Sequence, residues 1–369
     1  MLVEKATIFH FNMQLIVEAP INSLSFGNVA INLLREMWRK NMQVGLFPIG
    51  KIESEAHNLE PEFASWLQNA VNNRFLFLKK DVPSLKLWHL NGSDNRKTEK
   101  QYLITFYEAS EPTFVEKTLA SLQTKTLLCG DYAAKQFSNA GCDNISSYKL
   151  GFDQSFHVTG KKYLPERIHF GLMGKFEKRK HTAKIIQTWL EKYGNNPRYL
   201  LSCCVTNPFL PPEQMQQIIA STLGGKRYGN INFLPYLQTN AEVNDFLNAI
   251  DIDLTGLSGA EGWNLPAFNA TCLGKWSVVL NSTAHKDWAN ETNSILVEPN
   301  GTIPIYDGVF FRENDMYNQG VMFDWTKESV ISAFEKAEEK VGTVNEAGIQ
   351  LSKELTYENT LAQIIAQIN

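Results

Sequence analysis

The chain has 369 residues, 43% of them hydrophobic and 20% charged, with a formal net charge of −4. That length suits two domains of ordinary size, and the composition excludes a fibrous or disordered chain. The acidic balance argues against coating nucleic acid or anionic membrane by bulk electrostatics, while leaving room for a local basic groove. No apolar run approaches the roughly 20 residues of a membrane-spanning helix. Met1-Leu-Val-Glu-Lys leads straight into an apolar segment without the layout of a signal peptide. Cys129, Cys142, Cys203, Cys204 and Cys272 are odd in number and scattered through apolar segments. They read as reduced, buried thiols of a cytoplasmic protein, with neither a disulfide framework nor zinc-ligand spacing.

Short apolar strands alternate with amphipathic helices almost throughout, the pattern of α/β layers on parallel sheets. The first part reads as strands at 7–11, 42–47, 74–78, 85–89, 102–107 and 126–129. Its clearest helix runs over 28–40, with Val29, Leu33, Met37 and Trp38 along one stripe. The second part reads as strands at 168–173, 199–205, 231–234, 250–254, 276–280 and 294–297. Helices are expected there at 180–193, 212–223, 241–248 and 265–273, and helical patterns close the chain at 327–341 and 356–368. These are two successive Rossmann-like units, over 1–155 and 156–345, followed by a C-terminal segment, 346–369. The boundary falls in 151–165, rich in Gly, His and Lys.

Seven segments carry candidate chemistry. Ser25-Phe26-Gly27-Asn28 precedes the first long helix, where Gly27 permits close backbone approach and Ser25 or Asn28 offers a plain helix cap. His89 ends a strand. Glu108, in Phe106-Tyr107-Glu108, is either a helix-cap carboxylate or a group facing a cleft. Gly174-Lys175-Phe-Glu-Lys178-Arg179-Lys180-His181 gathers four cations within six residues at a strand end. Like charges repel, so the cluster is either a solvated turn or a site where an anion offsets the repulsion. Ser258-Gly-Ala-Glu261-Gly262-Trp263-Asn264-Leu265-Pro266 turns from a strand into a helix whose free N–H groups and dipole favour an anion. Pro266 is tolerated in the first turn, and Asn269 follows on the same helix. Asp251-Ile-Asp253 has the look of a metal-binding triplet but sits inside an apolar strand. Asn281 to Trp288 is a weaker candidate for the rim of the same cleft.

The Glu261 run resembles the donor-site signature of retaining GT-B glycosyltransferases of the group 1 type, Glu-Gly-(aromatic)-x-Leu-Pro followed by a second Glu eight positions on. The cationic turn is similar to their Gly-Arg-x-x-x-x-Lys, and both motifs stand in the family's order. The resemblance covers both halves of the chain and implies two Rossmann-like domains facing across a cleft, with a terminal helix crossing back onto the first. It implies transfer of a hexosyl or pentosyl unit from a nucleotide-diphosphate sugar, with retention and without metal or other cofactor. Lys175 and Lys180 would hold the diphosphate with Gly174 and Arg179. Glu261 would contact sugar hydroxyls, and the amides of Gly262, Trp263, Asn264 and Leu265 the distal phosphate. Gly27 would approach the diphosphate from across the cleft, and Glu108 would face the acceptor. Asn269 replaces the second Glu, exchanging a charge-assisted bond to ribose for a neutral one. The cationic run is also similar to glycosyltransferases of large tailed phages, which would make hydroxymethylated DNA an acceptor beside a surface glycan, with Lys79, Lys80, Arg96, Lys97 and Lys100 as a cationic face. The same fold also serves nucleotide-sugar 2-epimerases, and a catalytically silent nucleotide-sugar binder is the remaining alternative.

Overall fold

The computed structural model describes residues 13–368. The first half forms a parallel sheet from β1 (Gln14–Ala19), β2 (Gln43–Pro48), β3 (Ser84–Leu87), β4 (Gln101–Thr105), β5 (Lys125–Cys129) and β6 (Ile145–Tyr148). Their order is β2-β1-β3-β4-β5-β6. Helices α1 (Ser25–Arg39), α2 (Pro61–Asn72), α3 (Phe114–Ser121) and α4 (Asp131–Asn139) cover it. The second half repeats the plan with β7 (Ile168–Met173), β8 (Tyr199–Cys204), β9 (Ile231–Phe233), β10 (Ile252–Asp253), β11 (Trp276–Leu280) and β12 (Ile295–Val297). Here the order is β12-β11-β10-β7-β8-β9, again all parallel. Its helices are α5 (Thr182–Tyr193), α6 (Pro212–Thr222), α7 (Asn240–Ala249) and α8 (Leu265–Cys272). A hairpin of β13 (Gly301–Pro304) and β14 (Val321–Asp324) follows, then α9 (Lys327–Glu338), α10 (Glu346–Glu354) and α11 (Tyr357–Ile365).

Central strands such as β3, β4 and β7 are buried along nearly their whole length, as expected of parallel strands covered on both faces. The strand order reverses between β1 and β3 in one sheet and between β7 and β10 in the other. Such switch points open a crevice at the carboxyl ends of the strands, where open α/β sheets take ligands. The loops after β3, β7 and β10 contain His89, the cationic turn and the Glu261 turn, and the connection after β1 leads into the first turn of α1, which holds Gly27.

Several local expectations change. The strand read at 7–11 lies outside the described residues, and the first described strand is Gln14–Ala19. The apolar run at 74–78 is a 3-10 helix, Arg74–Phe77, laid along the edge strand β2. A Cβ added to Gly45 would meet Phe77 at 2.9 Å, and Phe75 packs on Phe47 at 5.6 Å between ring centroids. The run therefore packs on the face of the edge strand instead of adding a strand beside it. Strand 250–254 shortens to Ile252–Asp253, and α1 begins at Ser25, three residues before the expected start. Gly27 thus lies inside the first helical turn, and Leu24 occupies the cap position without a side-chain bond.

The halves share apolar packing in two places. Trp263 and Phe268 join Val29, Leu33, Tyr357 and Leu361 in one core. On that side Thr360 donates to the Lys149 carbonyl (2.8 Å), and the Phe152 amide donates to Leu355 (2.8 Å). On the other side the hairpin and its loop cross to the first half as a strap. Ile305, Phe311 and Met322 pack with Leu103, Tyr107 and Phe137. Hydrogen bonds flank that contact, from the Val321 amide to Ser110 Oγ (2.9 Å) and from the Asn318 amide to Glu116 Oε1 (2.8 Å).

Candidate active site

The site is assembled at the second sheet's switch point. β7 ends in Gly174, whose φ of +129° lies in a region L side chains rarely adopt, and the cationic turn starts there. β10 leads into the turn that carries Glu261 to the start of α8. Asn264 caps α8 in a left-handed conformation and makes no side-chain bond to the helix amides, so those N–H groups stay free at the turn.

Charge pairing holds the two turns together. Lys180 Nζ lies 2.5 Å from Glu261 Oε1, and Arg179 Nη1 lies 3.1 Å from Glu261 Oε2. Arg179 Nη1 also donates to the Ala260 carbonyl at 2.6 Å. Its Nη2 stands 3.2 Å from Glu177 Oε2 and 3.8 Å from Glu108 Oε1, the latter on the first half of the chain. Lys175 Nζ pairs with Glu177 Oε1 at 3.0 Å and sits over the rings of Phe310 (4.9 Å) and Phe209 (5.2 Å). Burial works against the Glu261 carboxylate, but Lys180 and Arg179 outweigh it and hold its pKa far below the usual range. Burial likewise opposes the Arg179 charge and is overcome by Glu261, Glu177 and Glu108. Glu177 is kept ionised against its burial by Arg179, Lys180 and Lys175.

A neutral layer supports the Glu261 turn. His285 is fully buried, its Nδ1 2.9 Å from the Leu280 carbonyl and its Nε2 3.0 Å from Asn264 Nδ2. Burial pushes its pKa down to about 4, with Glu261 opposing. An Asn264 amide donating to Nε2 fits that neutral ring. Asn264 Nδ2 also donates to the Thr255 carbonyl (2.9 Å).

The structure brings together Glu261, Lys175, Lys180, Gly174, Arg179 and, from the first half, Glu108. Gly262 also faces the first half, since an added Cβ would meet Phe106 at 3.0 Å. Trp263 is a core residue by its side chain, stacked edge-on to Phe268 at 5.4 Å, and only its backbone belongs to the turn. Leu265 packs against the same core. Asn269, on α8, is buried with Oδ1 unpartnered. Gly27 packs on Asn22: a Cβ there would lie 2.1 Å from the Asn22 carbonyl oxygen, so close approach is required by the loop before α1 itself. Arg179, expected beside the diphosphate, lies within this charge network. Its side chain is 8% exposed, and its Nη atoms are engaged by carboxylates and a carbonyl.

Asp251 and Asp253 have structural partners. Asp251 accepts from Lys162 Nζ (2.5 Å) and the His169 amide (3.0 Å), and Asp253 accepts from the Thr255 amide (3.1 Å). Among the described residues, no group of three His, Cys, Asp or Glu side chains is placed to hold a metal. No helix among them is long and apolar enough to cross a membrane.

Sequence reasoning assigns Glu177 no role, although it is the one carboxylate inside the cationic turn. It also passes over Phe209 and Phe310, whose rings meet at 5.4 Å beside Lys175 and come from segments about 100 residues apart. On the first-half face, His89 is solvent-accessible and packs on Phe26 at 4.4 Å between ring centroids. Desolvation by the surrounding protein lowers its pKa, with Glu108 opposing that change and Lys175 reinforcing it.

No family model and no curated protein sequence matches the chain. Solved structures do. HepE from Anabaena, in complex with UDP-glucose, superposes with a TM-score of 0.65 at 12% identity, over 96% of this chain and 99% of that one. Sucrose-phosphate synthase from Thermosynechococcus elongatus gives 0.63 at 11% identity, over 96% and 98%. TarM gives 0.58 at 11% identity, over 81% of this chain but 57% of its own. At such identities the likeness is one of fold. The chain has the GT-B fold.

Proposed function

We propose that the chain is a glycosyltransferase that moves a sugar from a nucleotide-diphosphate sugar to an acceptor hydroxyl with retention at the anomeric carbon. The observation that carries this reading is Glu261, fixed between Lys180 and Arg179 at the switch point of a GT-B fold beside the free N-terminus of α8. Lys175, Lys180 and the α8 amides supply positive potential for a departing diphosphate, the main electrostatic demand of the transfer. Glu261 accepts from sugar hydroxyls, and Asn269, with its carbonyl oxygen unpartnered, takes the ribose side. Arg179 positions Glu261 instead of touching the donor. Glu108 and His89 face the acceptor. The donor bound by the Anabaena structure makes UDP-glucose the first probe.

The test is a thermal-shift series with UDP-glucose and other nucleotide-diphosphate sugars. Saturation at 100 times Kd stabilises the native state by about 2.7 kcal/mol, a shift plainly read in Tm. The double variant Lys175→Ala/Lys180→Ala is expected to fold and to lose most of the response. A full response in that variant overturns the diphosphate assignment. Product analysis with glycan and hydroxymethylated-DNA acceptors then separates transfer from epimerisation or silent binding.

A further inference from the structure

Away from the cleft, the 3-10 helix Arg74–Phe77 covers edge strand β2 with one side and leaves the other unpartnered. Phe77 packs over Gly45, whereas Phe75 is 63% exposed, Leu76 69% and Leu78 43%. Three large apolar residues exposed within four positions are more than a monomer in water has use for. Cations are interleaved with it. Arg74 lies over the rings of Phe75 (4.5 Å) and Phe47 (5.7 Å), keeping its charge at the patch. Lys79 and Lys80 follow directly, both exposed. Lys80's ion-pair partner is Glu99 at 3.9 Å, and Lys79 has none among the described residues. Lys97 borders the patch over Phe47 at 5.8 Å but is paired with Glu18 at 3.6 Å, so the charge offered at the patch comes from Arg74, Lys79 and Lys80.

Apolar side chains set among cations match a surface with an apolar interior and an anionic skin. We infer that this face docks on an anionic lipid bilayer, with Phe75, Leu76 and Leu78 in the headgroup region and Arg74, Lys79 and Lys80 against lipid phosphates. The contact is peripheral and reversible, because three side chains are too few for stable insertion. Charge complementarity favours a bilayer over a second copy of the chain, since two copies would bring like charges together.

The experiment is co-sedimentation of the full chain with vesicles of phosphatidylglycerol and phosphatidylcholine, against vesicles of phosphatidylcholine alone. The wild type is expected to bind the anionic vesicles at least tenfold better, roughly the effect of two or three headgroup-facing cations, and to release in high salt. Phe75→Ser/Leu76→Ser is expected to lower binding about tenfold or more through lost apolar burial. Lys79→Glu/Lys80→Glu is expected to abolish the preference for anionic lipid, with Tm unchanged in both variants. Equal binding by wild type and both variants, or no binding by any, overturns the inference. So does concentration-dependent dimerisation without vesicles that Phe75→Ser/Leu76→Ser abolishes, which assigns the patch to a second copy. Retention on duplex DNA that only the lysine variant loses assigns it to nucleic acid.

Discussion

The two faces of the cleft are built on opposite plans. On the second half, Lys175, Arg179 and Lys180 are each matched to a carboxylate within 3.2 Å, and Glu261 and Glu177 are buried. On the first half, His89 is open to solvent, and Glu108 reaches Arg179 only at 3.8 Å. A face whose charges are fixed before a ligand arrives spends little on reorganisation when charge develops there, which is what a departing diphosphate needs. A face with loosely held groups can accept differently shaped partners. The comparison predicts that damage to the second face shows first as lost stability, and damage to the first face as lost turnover alone.

The largest expected effect breaks the fixed face. Glu261→Ala removes the partner of both Lys180 Nζ and Arg179 Nη1 and leaves two cations in a buried setting. Breaking such a pair costs about 3–5 kcal/mol, because Lys180 is then left without a carboxylate while Arg179 keeps only Glu177 and the more distant Glu108. Urea unfolding of Glu261→Ala measures it. A loss below about 1 kcal/mol, the scale of an exposed pair, means the second face is held by something other than this network.

Much of that face is legible in the sequence, for reasons that do not extend to the rest. Gly174 with its cations and the Glu261-to-Pro266 turn are each a contiguous run, and a turn flanked by a strand and a helix leaves a local signature. The strap leaves none: β13 and β14 are four residues each, and what they do depends on Phe311 and Met322 meeting Tyr107 and Phe137 from the other half. The run at Arg74–Phe77 has the composition of a strand, and the bare Gly45 beneath Phe77 lets it pack on the face of β2 instead. Arg179 reads as a donor contact in the sequence because its position is cationic. That Glu108 and Glu261, from separate segments, join the neighbouring Glu177 around it is long-range information.

A smaller effect probes the interior beneath that face. Asp253 is fully buried, with Oδ2 unpartnered, and burial lifts its pKa to about 6. In the unfolded chain it ionises near pH 4, so between about pH 4 and 6 the folded state holds the extra proton and stability falls as pH rises. Asp253→Asn cannot ionise. Relative to wild type, it is expected to gain about 2–3 kcal/mol between pH 4 and pH 7.5, since each tenfold change in the proton-binding constant is worth about 1.36 kcal/mol. Denaturant midpoints at the two pH values check this, and a flat difference means Asp253 is solvated or paired in the folded chain.

The smallest effect on stability, and the sharpest test of the open face, comes from Glu108→Gln. Arg179 keeps Glu177 and Glu261 when the more distant Glu108 charge is removed, and Glu108 is partly exposed. The expected stability change is therefore within about 0.5 kcal/mol, and the donor-induced thermal shift is expected to persist. Glu108 also opposes the lowering of the His89 pKa, so its neutralisation should move His89 further down, visible as an acid shift of the ring resonances in an NMR titration. Turnover with a productive acceptor is expected to fall about 100-fold or more, the lower range for a positioned acid or base at a reacting centre. Because donor binding is retained, that loss belongs to kcat or the acceptor KM. A Glu108→Gln protein that unfolds as readily as Glu261→Ala would instead place Glu108 inside the fixed network, and the two faces would then be one continuous cradle spanning the cleft.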